Sequence, residues 1–371
     1  MAEATFAPTD EQLLLSSTIS EMLDARSSAD RSKDLSLTQD AFDREVWEGL
    51  AQIGVIGLTM PAAFGGGEAS LDDLGVVFEE LGRRIVAIPL LSTTMAMTAI
   101  VASGSSDAIE RHLPALCSGD AVGTLAVYED AHGDALDLPG ASAVRDGGDA
   151  FLVTGRKAFV TDGPGADLFV VSASLDGVFA LFLVEATGQG VTVAAVPALD
   201  ATRPLATVSL DNAAATLLAE GDAAIATLST AIDVGVVAMA REQVGGASAC
   251  LDMSVEYAKS RFQFGRAIGS FQAVKHMCAD MLVALEHARS VAVHACRAED
   301  PDEQAIAVPM AKSVCSDAYI KAAGDMIQIH GGIGFTWEHD AHLYFKRAKS
   351  TSLLLGSVDA YRDRLADALD L

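Results

Sequence analysis

The sequence predicts a multidomain α+β protein with a helical N-terminal domain, a middle antiparallel β-barrel or sandwich, and a C-terminal four-helix bundle. Two changes in hydrophobic periodicity predict this order, from helical to strand-like near residue 123 and back to helical near residue 222. The third observation is length, since 371 residues fit two or three packed domains better than one simple core. We therefore expect domains at residues 1–122, 123–221 and 222–371.

Residues 1–122 carry helix signals. A capping box at Thr9 to Gln12 precedes apolar residues at helical spacing, which predicts a first helix. A second helix is predicted from about Gln39, and Pro61 with the glycines that follow it predicts a loop after this helix. A third helix is predicted over Leu71 to Arg84.

The middle region alternates between β-rich runs and turns rich in Gly, Asp and Pro. These runs recur at a spacing of about ten residues, which is typical of a small antiparallel barrel or sandwich. They are residues 151–154, 158–161, 168–172, 178–184, 191–196 and 206–210.

The C-terminal region returns to helical periodicity. Long amphipathic segments joined by short corners predict an antiparallel bundle. The four segments are residues 224–260, 270–298, 302–329 and 341–369.

Composition limits the class of protein. The net charge of −26 argues against nucleic acid and anionic membranes as partners. No uninterrupted apolar run reaches the ~18 residues that span a bilayer, and the N-terminus shows no secretory signal. The five cysteines are scattered and form no Cys-x-x-Cys pair, which is typical of a reduced cytoplasmic protein without disulfides or a zinc site. We predict no metal site, and we expect Phe335 and Trp337 to serve in packing.

The segment from Ser260 to His276 joins two predicted helices and carries side chains suited to a nucleotide. The guanidinium of Arg261 can grip a phosphate with paired hydrogen bonds, Phe264 can stack on a flat heterocycle, and Gln272 can hydrogen-bond that ring's edge. Together they would suit the ADP half of a dinucleotide cofactor. From these side chains alone, a solvated helical hairpin is the simpler interpretation.

The same segment resembles the Arg-x-x-Phe-Gly…Phe-Gln motif of the acyl-CoA dehydrogenase family of flavoenzymes. A second family segment is matched by Gln328 to Phe335, and the resemblance covers nearly the whole chain. It implies an FAD cofactor and an oligomer, usually a tetramer. It also implies that the two segments reach across a dimer interface to the ADP half of the neighbouring protomer's FAD. The residues concerned are Arg261, Phe264, Gln272, Gln328, Gly331 and Gly332.

The resemblance extends to the strand that contacts the flavin ring. Phe159 would stand where the family commonly has Trp, and Thr161 would hydrogen-bond the ring's polar edge, although an ordinary strand and turn remains the alternative. Ser357 is implied as a further cofactor contact. The preceding loop, Val127 to Asp134, departs from the family's Thr-Glu-Pro…Gly-Ser-Asp pattern, which puts this chain's own flavin pocket in question.

The catalytic base that the resemblance implies is missing from both usual positions. The reaction removes a proton α to a thioester while hydride leaves the β carbon, so it needs a carboxylate in a dry pocket. The two family positions hold Leu355 and Gly235 here. Glu242 lies about two helical turns after Gly235 and is the candidate base. The alternative is a carboxylate that pairs with a nearby Arg or Lys. The small residues around Glu242 also hint at room for a bulky acyl group.

Two functions follow from the resemblance. The first is FAD-dependent α,β-desaturation of an acyl-CoA thioester, with electrons passed to an electron-transfer flavoprotein. The second is a non-catalytic homologous subunit that completes a partner chain's FAD site in a heterotetramer, as in the branch that acts on steroid side-chain thioesters. For the first function, a homotetramer and a heterotetramer are both open, as are fatty acid and steroid substrates. Direct oxidation by O₂ is a less favoured third possibility.

Overall fold

The computed structural model describes residues 6–26, 42–130, 134–148 and 150–371. The predicted start of the second helix near Gln39, and residues 131–133 of the loop that departs from the family pattern, lie outside these ranges. The described chain contains ten α-helices: α1 (Asp10–Arg26), α2 (Arg44–Gln52), α3 (Leu71–Arg84), α4 (Leu90–Ala102), α5 (Ser106–Ser118), α6 (Asp222–Ser260), α7 (Gln272–Arg297), α8 (Pro301–His330), α9 (Ala341–Leu353) and α10 (Val358–Ala368).

The chain divides into two compact units, which are described separately. The first comprises Met1–Ser32, Ser70–Val86 and Val236–Leu371, and the second comprises Lys33–Ala69 and Ala87–Gly235. The helix–strand–helix order predicted from periodicity is confirmed. The predicted domain boundaries at residues 122 and 221 stay predictions.

Capping side chains fix several helix starts. The Thr9 hydroxyl accepts from the Gln12 N–H at 3.2 Å and the Gln12 side chain accepts from the Thr9 N–H at 3.1 Å, so the predicted capping box is confirmed. Ser70 and Asp73 form the same reciprocal arrangement at the start of α3. These local bonds satisfy backbone N–H groups that a helix start leaves without partners.

In the first unit, α8 is the central helix and packs against α7, α9 and α10. The fourth predicted bundle segment is two helices, because the chain turns between Leu353 and Val358. Leu355 and Gly356 have φ values of 63° and 109°, outside the helical region. The Ser357 hydroxyl then accepts from the Ala360 N–H at 3.2 Å and caps α10.

The small residues of α6 permit close approach of neighbouring helices. A Cβ on Gly245 would lie 1.9 Å from the Glu79 carbonyl oxygen of α3, and a Cβ on Gly246 would lie 2.4 Å from the Tyr319 ring of α8. A Cβ on Gly82 would lie 2.0 Å from the Glu242 carbonyl oxygen. At Gly245 and Gly246, therefore, helix packing fills the space that had suggested room for a bulky acyl group.

The second unit is built on seven strands: β1 (Gly123–Ala126), β2 (Ser142–Arg145), β3 (Ala150–Thr161), β4 (Leu168–Leu175), β5 (Val178–Glu185), β6 (Val191–Val196) and β7 (Leu205–Glu220). Pairing follows the order β1-β4-β2-β3-β7-β5, and β5 also pairs with β4, so five strands close a barrel. The barrel prediction is confirmed, although β1 and β2 run parallel to β4. All six predicted runs lie in strands, and the first two belong to the single strand β3.

Alternate side chains of these strands fill the barrel with an apolar core. Phe151 and Phe182 face each other there with ring centroids 5.4 Å apart. Helix α4 packs against β1 and is buried along nearly its whole length. Strand β1 in turn contacts β3, the end of which carries Phe159 and Thr161.

By length and mean hydropathy alone, α6 could cross a bilayer. Its most apolar 18-residue window has a mean hydropathy of 1.8, and 61% of that window is buried inside the protein. Core helices of large proteins share these properties.

Candidate functional site

A hairpin at the end of α6 displays Phe264. Strand β8 (Phe262–Gln263) pairs antiparallel with β9 (Arg266–Ala267). The two residues between them, Phe264 and Gly265, have φ values of 53° and 77°, which is typical of a type I′ turn. A left-handed backbone is costly for an aromatic residue, and the Phe264 side chain is 91% exposed. The turn therefore holds an apolar ring in solvent, with the Phe271 ring edge-on to it at a centroid distance of 6.1 Å.

The Arg261 side chain, next to this hairpin, is available to bind an anion. The Arg261 N–H donates to the Tyr257 carbonyl at 2.8 Å, and the Arg261 carbonyl accepts from the Ile268 N–H at 2.8 Å, so its backbone is fixed. Its side chain is exposed and has no ion-pair partner within the described residues. Arg266 instead lies over the Phe271 ring, 3.9 Å from the centroid. In a chain of net charge −26, an unneutralised guanidinium is a natural anion contact.

The ends of α6 and α8 meet through stacked rings. Tyr257 stacks on His330 with centroids 4.3 Å apart and an interplanar angle of 25°. Burial lowers the pKa of His330, and the neighbouring His339 lowers this pKa further. The hydrogen bond to the Met326 carbonyl acts in the opposite direction but is outweighed by these two effects. The stacked rings therefore bring the last turns of α6, just before Ser260, next to the end of α8, where the second family segment lies.

The glycine turn after α8 is open to approach. A Cβ on Gly331 or Gly332 would meet no atom within 4 Å, and Gly331 has a φ of 64°. Gln328 and Gln272 are both exposed, at the last turn of α8 and the first residue of α7. Phe335 and Trp337 are 77% and 59% exposed, and the Trp337 ring lies edge-on to the His342 ring at a centroid distance of 4.7 Å. Their predicted role in packing stays a prediction. This turn thus adds exposed backbone and aromatic surface to its end of the bundle.

In the second unit, the end of β3 is held in an unusual conformation. Phe159 is 45% exposed with a φ of 53°, whereas Thr161 is buried. The Thr161 carbonyl accepts from the Thr124 hydroxyl at 2.6 Å, and the Asp162 carboxylate accepts from the Ser92 hydroxyl at 2.7 Å. These contacts fix the strand end on which Phe159 and Thr161 were predicted to meet the flavin ring.

Sequence reasoning missed two buried hydroxyls beside Ser92. Thr93 and Thr94 lie on α4 with hydroxyl oxygens that are fully buried and have no hydrogen-bond partner among the described residues. Such groups cost free energy unless a water molecule or a ligand pairs with them. The available signal was a Ser-Thr-Thr run inside a mostly apolar helix.

The loop that departs from the family pattern is organised by an ion pair. The Glu129 carboxylate accepts from the Lys157 ammonium at 2.7 Å and from the N–H groups of Gly140 and Ala141 at 2.9 Å. Partial burial alone raises the pKa of Glu129, but these bonds outweigh it and hold the pKa below its ordinary value. Lys157 is fully buried and also donates to Ser172. Glu129 therefore supports the loop and the barrel.

Glu242, the candidate base, is buried against a cation. Its side chain and that of Arg347 are each 3% exposed, and the Arg347 guanidinium donates to the Glu242 carboxylate. This arrangement matches the alternative considered from the sequence, a carboxylate paired with an arginine, and the role of base stays a prediction. Leu355 is buried at one of the two usual base positions.

Two further features complete the predicted site. Ser357 is exposed, and its hydroxyl caps α10, so a cofactor contact there would add to a structural role. Within the described ranges, no group of three or more His, Cys, Asp or Glu side chains could hold a metal ion.

Comparisons with known proteins agree with this architecture. Residues 9–120 match the acyl-CoA dehydrogenase N-terminal domain, and residues 225–369 match the acyl-CoA dehydrogenase C-terminal domain. The chain is 33% identical over 351 residues to the acyl-CoA dehydrogenase IpdE2 of Mycobacterium tuberculosis, covering 94% of each chain.

Solved structures give the same result. A chain of a variant of the Tcur3481-Tcur3483 steroid ACAD is 31% identical, with a TM-score of 0.87 over 97% of this chain and 98% of that chain. A chain of the ChsE4-ChsE5 complex from Mycobacterium tuberculosis is 27% identical, with a TM-score of 0.88 over 99% of each chain. The protein therefore belongs to the acyl-CoA dehydrogenase family, oxidoreductases that act on CH–CH bonds.

Proposed function

We propose that this chain is one subunit of an FAD-dependent acyl-CoA dehydrogenase and that a homologous partner chain supplies the catalytic base. The complex would desaturate an acyl-CoA thioester between its α and β carbons and pass the electrons to an electron-transfer flavoprotein. The observation that carries this proposal is the buried Glu242–Arg347 ion pair. A paired guanidinium favours the ionised carboxylate and so opposes the proton uptake that a general base requires. Leu355 and Gly235 cannot take a proton at all.

In the first unit, an exposed surface fits the ADP half of FAD. This surface, the bundle corner, is formed by Arg261, Phe264, Gln272, Gln328, Gly331 and Gly332. Arg261 offers an unneutralised cation for the diphosphate, and Phe264 offers a flat ring held in solvent by a costly turn. The open backbone at Gly331 and Gly332 permits close approach of a nucleotide. Gln328 and Gln272 can hydrogen-bond its polar edges. When bound, FAD supplies the hydride acceptor, and these residues bind and orient it.

The second unit supplies side chains suited to the flavin ring. Phe159 is a partly exposed ring at the end of β3, and Thr161 is fixed beside it through its carbonyl. The unpaired hydroxyls of Thr93 and Thr94 suit a polar group on the bound substrate. Thioester and flavin would thus meet a surface that is mostly apolar with a few oriented hydroxyls.

Related structures support an assembly of two different chains. Two similar structures are named as pairs, ChsE4-ChsE5 and Tcur3481-Tcur3483, and the second is named as a steroid dehydrogenase. We propose a heterotetramer, with a bulky steroid-type thioester as substrate and a role in lipid degradation. All five cysteines are free thiols, which fits the expected cytoplasmic location.

The second candidate function is a self-sufficient dehydrogenase with Glu242 as its base. Its supporting observation is the position of a buried carboxylate on a face of α6 that is otherwise small or apolar. In this case the pair with Arg347 would have to open when substrate binds.

Visible spectra separate the two functions. The chain is purified alone and together with a homologous acyl-CoA dehydrogenase chain from its own organism, and dye reduction by acyl-CoA is measured in each preparation. We expect the lone chain to be colourless and inactive and the pair to hold flavin and to be active. We also expect the pair to stay active when this chain carries Glu242→Gln.

A yellow and active lone chain that loses activity with Glu242→Gln would instead establish the self-sufficient enzyme. Thermal melting of each variant shows whether it is folded. If Glu242→Gln does not fold, the spectra of the wild-type preparations still decide between the two functions.

A further inference from the structure

Lys312 is a buried amine in the middle of α8. Its side chain is fully buried, and it has no ion-pair partner within the described residues. Its Nζ donates to the carbonyl oxygens of Thr351 at 2.8 Å and Leu354 at 2.7 Å. Burial lowers the pKa of Lys312 to about 7. Because burying an amine is costly, its two well-made hydrogen bonds indicate a specific role.

Both acceptors belong to the end of α9 and the turn after it. A helix leaves its last carbonyls without internal N–H partners, and Lys312 satisfies two carbonyls of this region. The Tyr361 hydroxyl of α10 donates to the next carbonyl, that of Leu355, at 3.0 Å. The turn thus receives side-chain donors at two successive residues.

This turn needs such support because its backbone is strained. Leu355 has a φ of 63° although it is not glycine, and Gly356 has a φ of 109°. A Cβ on Gly356 would lie 2.9 Å from the Tyr361 ring, so the turn also packs closely on α10. Without its donors, the segment could relax toward the helical path that its sequence periodicity suggests.

The same network reaches the Glu242–Arg347 pair. The Gln243 side chain of α6 donates to the Thr351 hydroxyl at 3.1 Å, and that hydroxyl donates to the Arg347 carbonyl at 2.9 Å. The Lys312 ammonium donates a hydrogen bond to the carbonyl oxygen of the same residue, Thr351. One stretch of α9 therefore links the candidate base to the turn at the usual base position.

We propose that Lys312 is a positioning residue that fixes the turn Leu354 to Ser357 and couples it, through α9, to the Glu242–Arg347 pair. Its effect on catalysis rests on the proposed function and on the cofactor contact that the family resemblance implies for Ser357. Lys312 itself touches neither substrate nor cofactor in this proposal.

Hydrogen exchange of Lys312→Met tests the proposal, because methionine keeps the volume and removes both donors. The amides that report on the turn are those of Leu354 and Tyr361, which donate to the carbonyls of Ser350 and Ser357 on either side of it. We expect these two amides to exchange about tenfold faster than in the wild type, the effect of weakening the local structure by one good hydrogen bond, while the amides of α7 keep their rates. The matched control is Lys321→Met on the same helix, where an exposed lysine pairs with Asp325. This control should leave the turn unchanged.

The visible absorption spectrum of the flavin in the assembled complex provides a second measurement. This spectrum would not change if Lys312 only stabilised the fold. Lys312→Met should change the fine structure of the flavin's visible band, and Lys321→Met should not. Unchanged exchange at the amides of Leu354 and Tyr361, or equal acceleration throughout α7 and α8, would overturn the proposal. Absence of flavin from the wild-type complex would contradict the proposed function. In that case the hydrogen-exchange rates alone would test whether Lys312 fixes the turn. If Lys312→Met does not fold, Tyr361→Phe removes the neighbouring donor without a cavity and should accelerate the same amides.

Discussion

Glu242→Leu is expected to lower the free energy of unfolding by about 3 to 5 kcal/mol. The reason is the buried pair with Arg347, in which both side chains are 3% exposed. Leucine removes this carboxylate and leaves a buried guanidinium without its charge partner, which costs more than the pair itself contributes. Urea denaturation of wild type and variant measures the loss.

The matched variants are Arg347→Met and the double variant Glu242→Leu/Arg347→Met. The single arginine variant should lose a similar free energy, and the double variant should recover to within about 1 kcal/mol of the wild type, since apolar side chains can replace a buried pair. Strictly additive losses would contradict this account of the pair. A Glu242→Leu protein of wild-type stability that lacks activity would favour Glu242 as the base.

The second large effect is a dependence of stability on pH through Lys312. In the unfolded chain Lys312 keeps its proton up to the ordinary pKa of 10.5, whereas burial lowers the pKa in the folded chain to about 7. Between these values unfolding takes up a proton, so the folded state becomes more stable as pH rises. The stability difference between wild type and Lys312→Met should therefore shift in favour of the wild type by about 1.4 kcal/mol per pH unit.

Denaturation of both proteins at about pH 7 and about pH 9 measures this shift, with roughly 2 to 3 kcal/mol expected. Comparison with the methionine variant removes the contribution of other titrating groups. Tyr361 faces Lys312, with its ring centroid 6.0 Å from Nζ, and Tyr361→Phe controls for its ionisation. A difference that is constant over this range would show that Lys312 keeps its proton in the folded protein.

Local signals allowed much of the fold to be predicted. The capping box at Thr9 and the helix at Leu71–Arg84 depend on neighbours within a few residues, and the structure confirms both of them. The β-barrel was predicted from the spacing of its runs. Strands β1 and β2 were not, because four residues are too few to show a period.

The rest depends on contacts between distant residues. Arg347 meets Glu242 across 105 positions of sequence, and Lys312 reaches Leu354 across 42, so no local pattern could reveal either contact. The small face of α6 was ambiguous for the same reason, since its neighbours Glu79 and Tyr319 are remote in sequence. The break at Leu355 was missed because helical periodicity continues through it.

The central claim is that a bundle corner of this acidic chain binds the nucleotide half of FAD, and Arg261 is its most direct test. FAD affinity is measured by titration of the assembled complex with wild-type chain, with Arg261→Gln, and with Lys321→Gln as a variant of equal charge change. Loss of a charge-assisted contact to phosphate predicts an affinity about 10- to 100-fold weaker for Arg261→Gln alone. Equal affinities for all three proteins would contradict the claim.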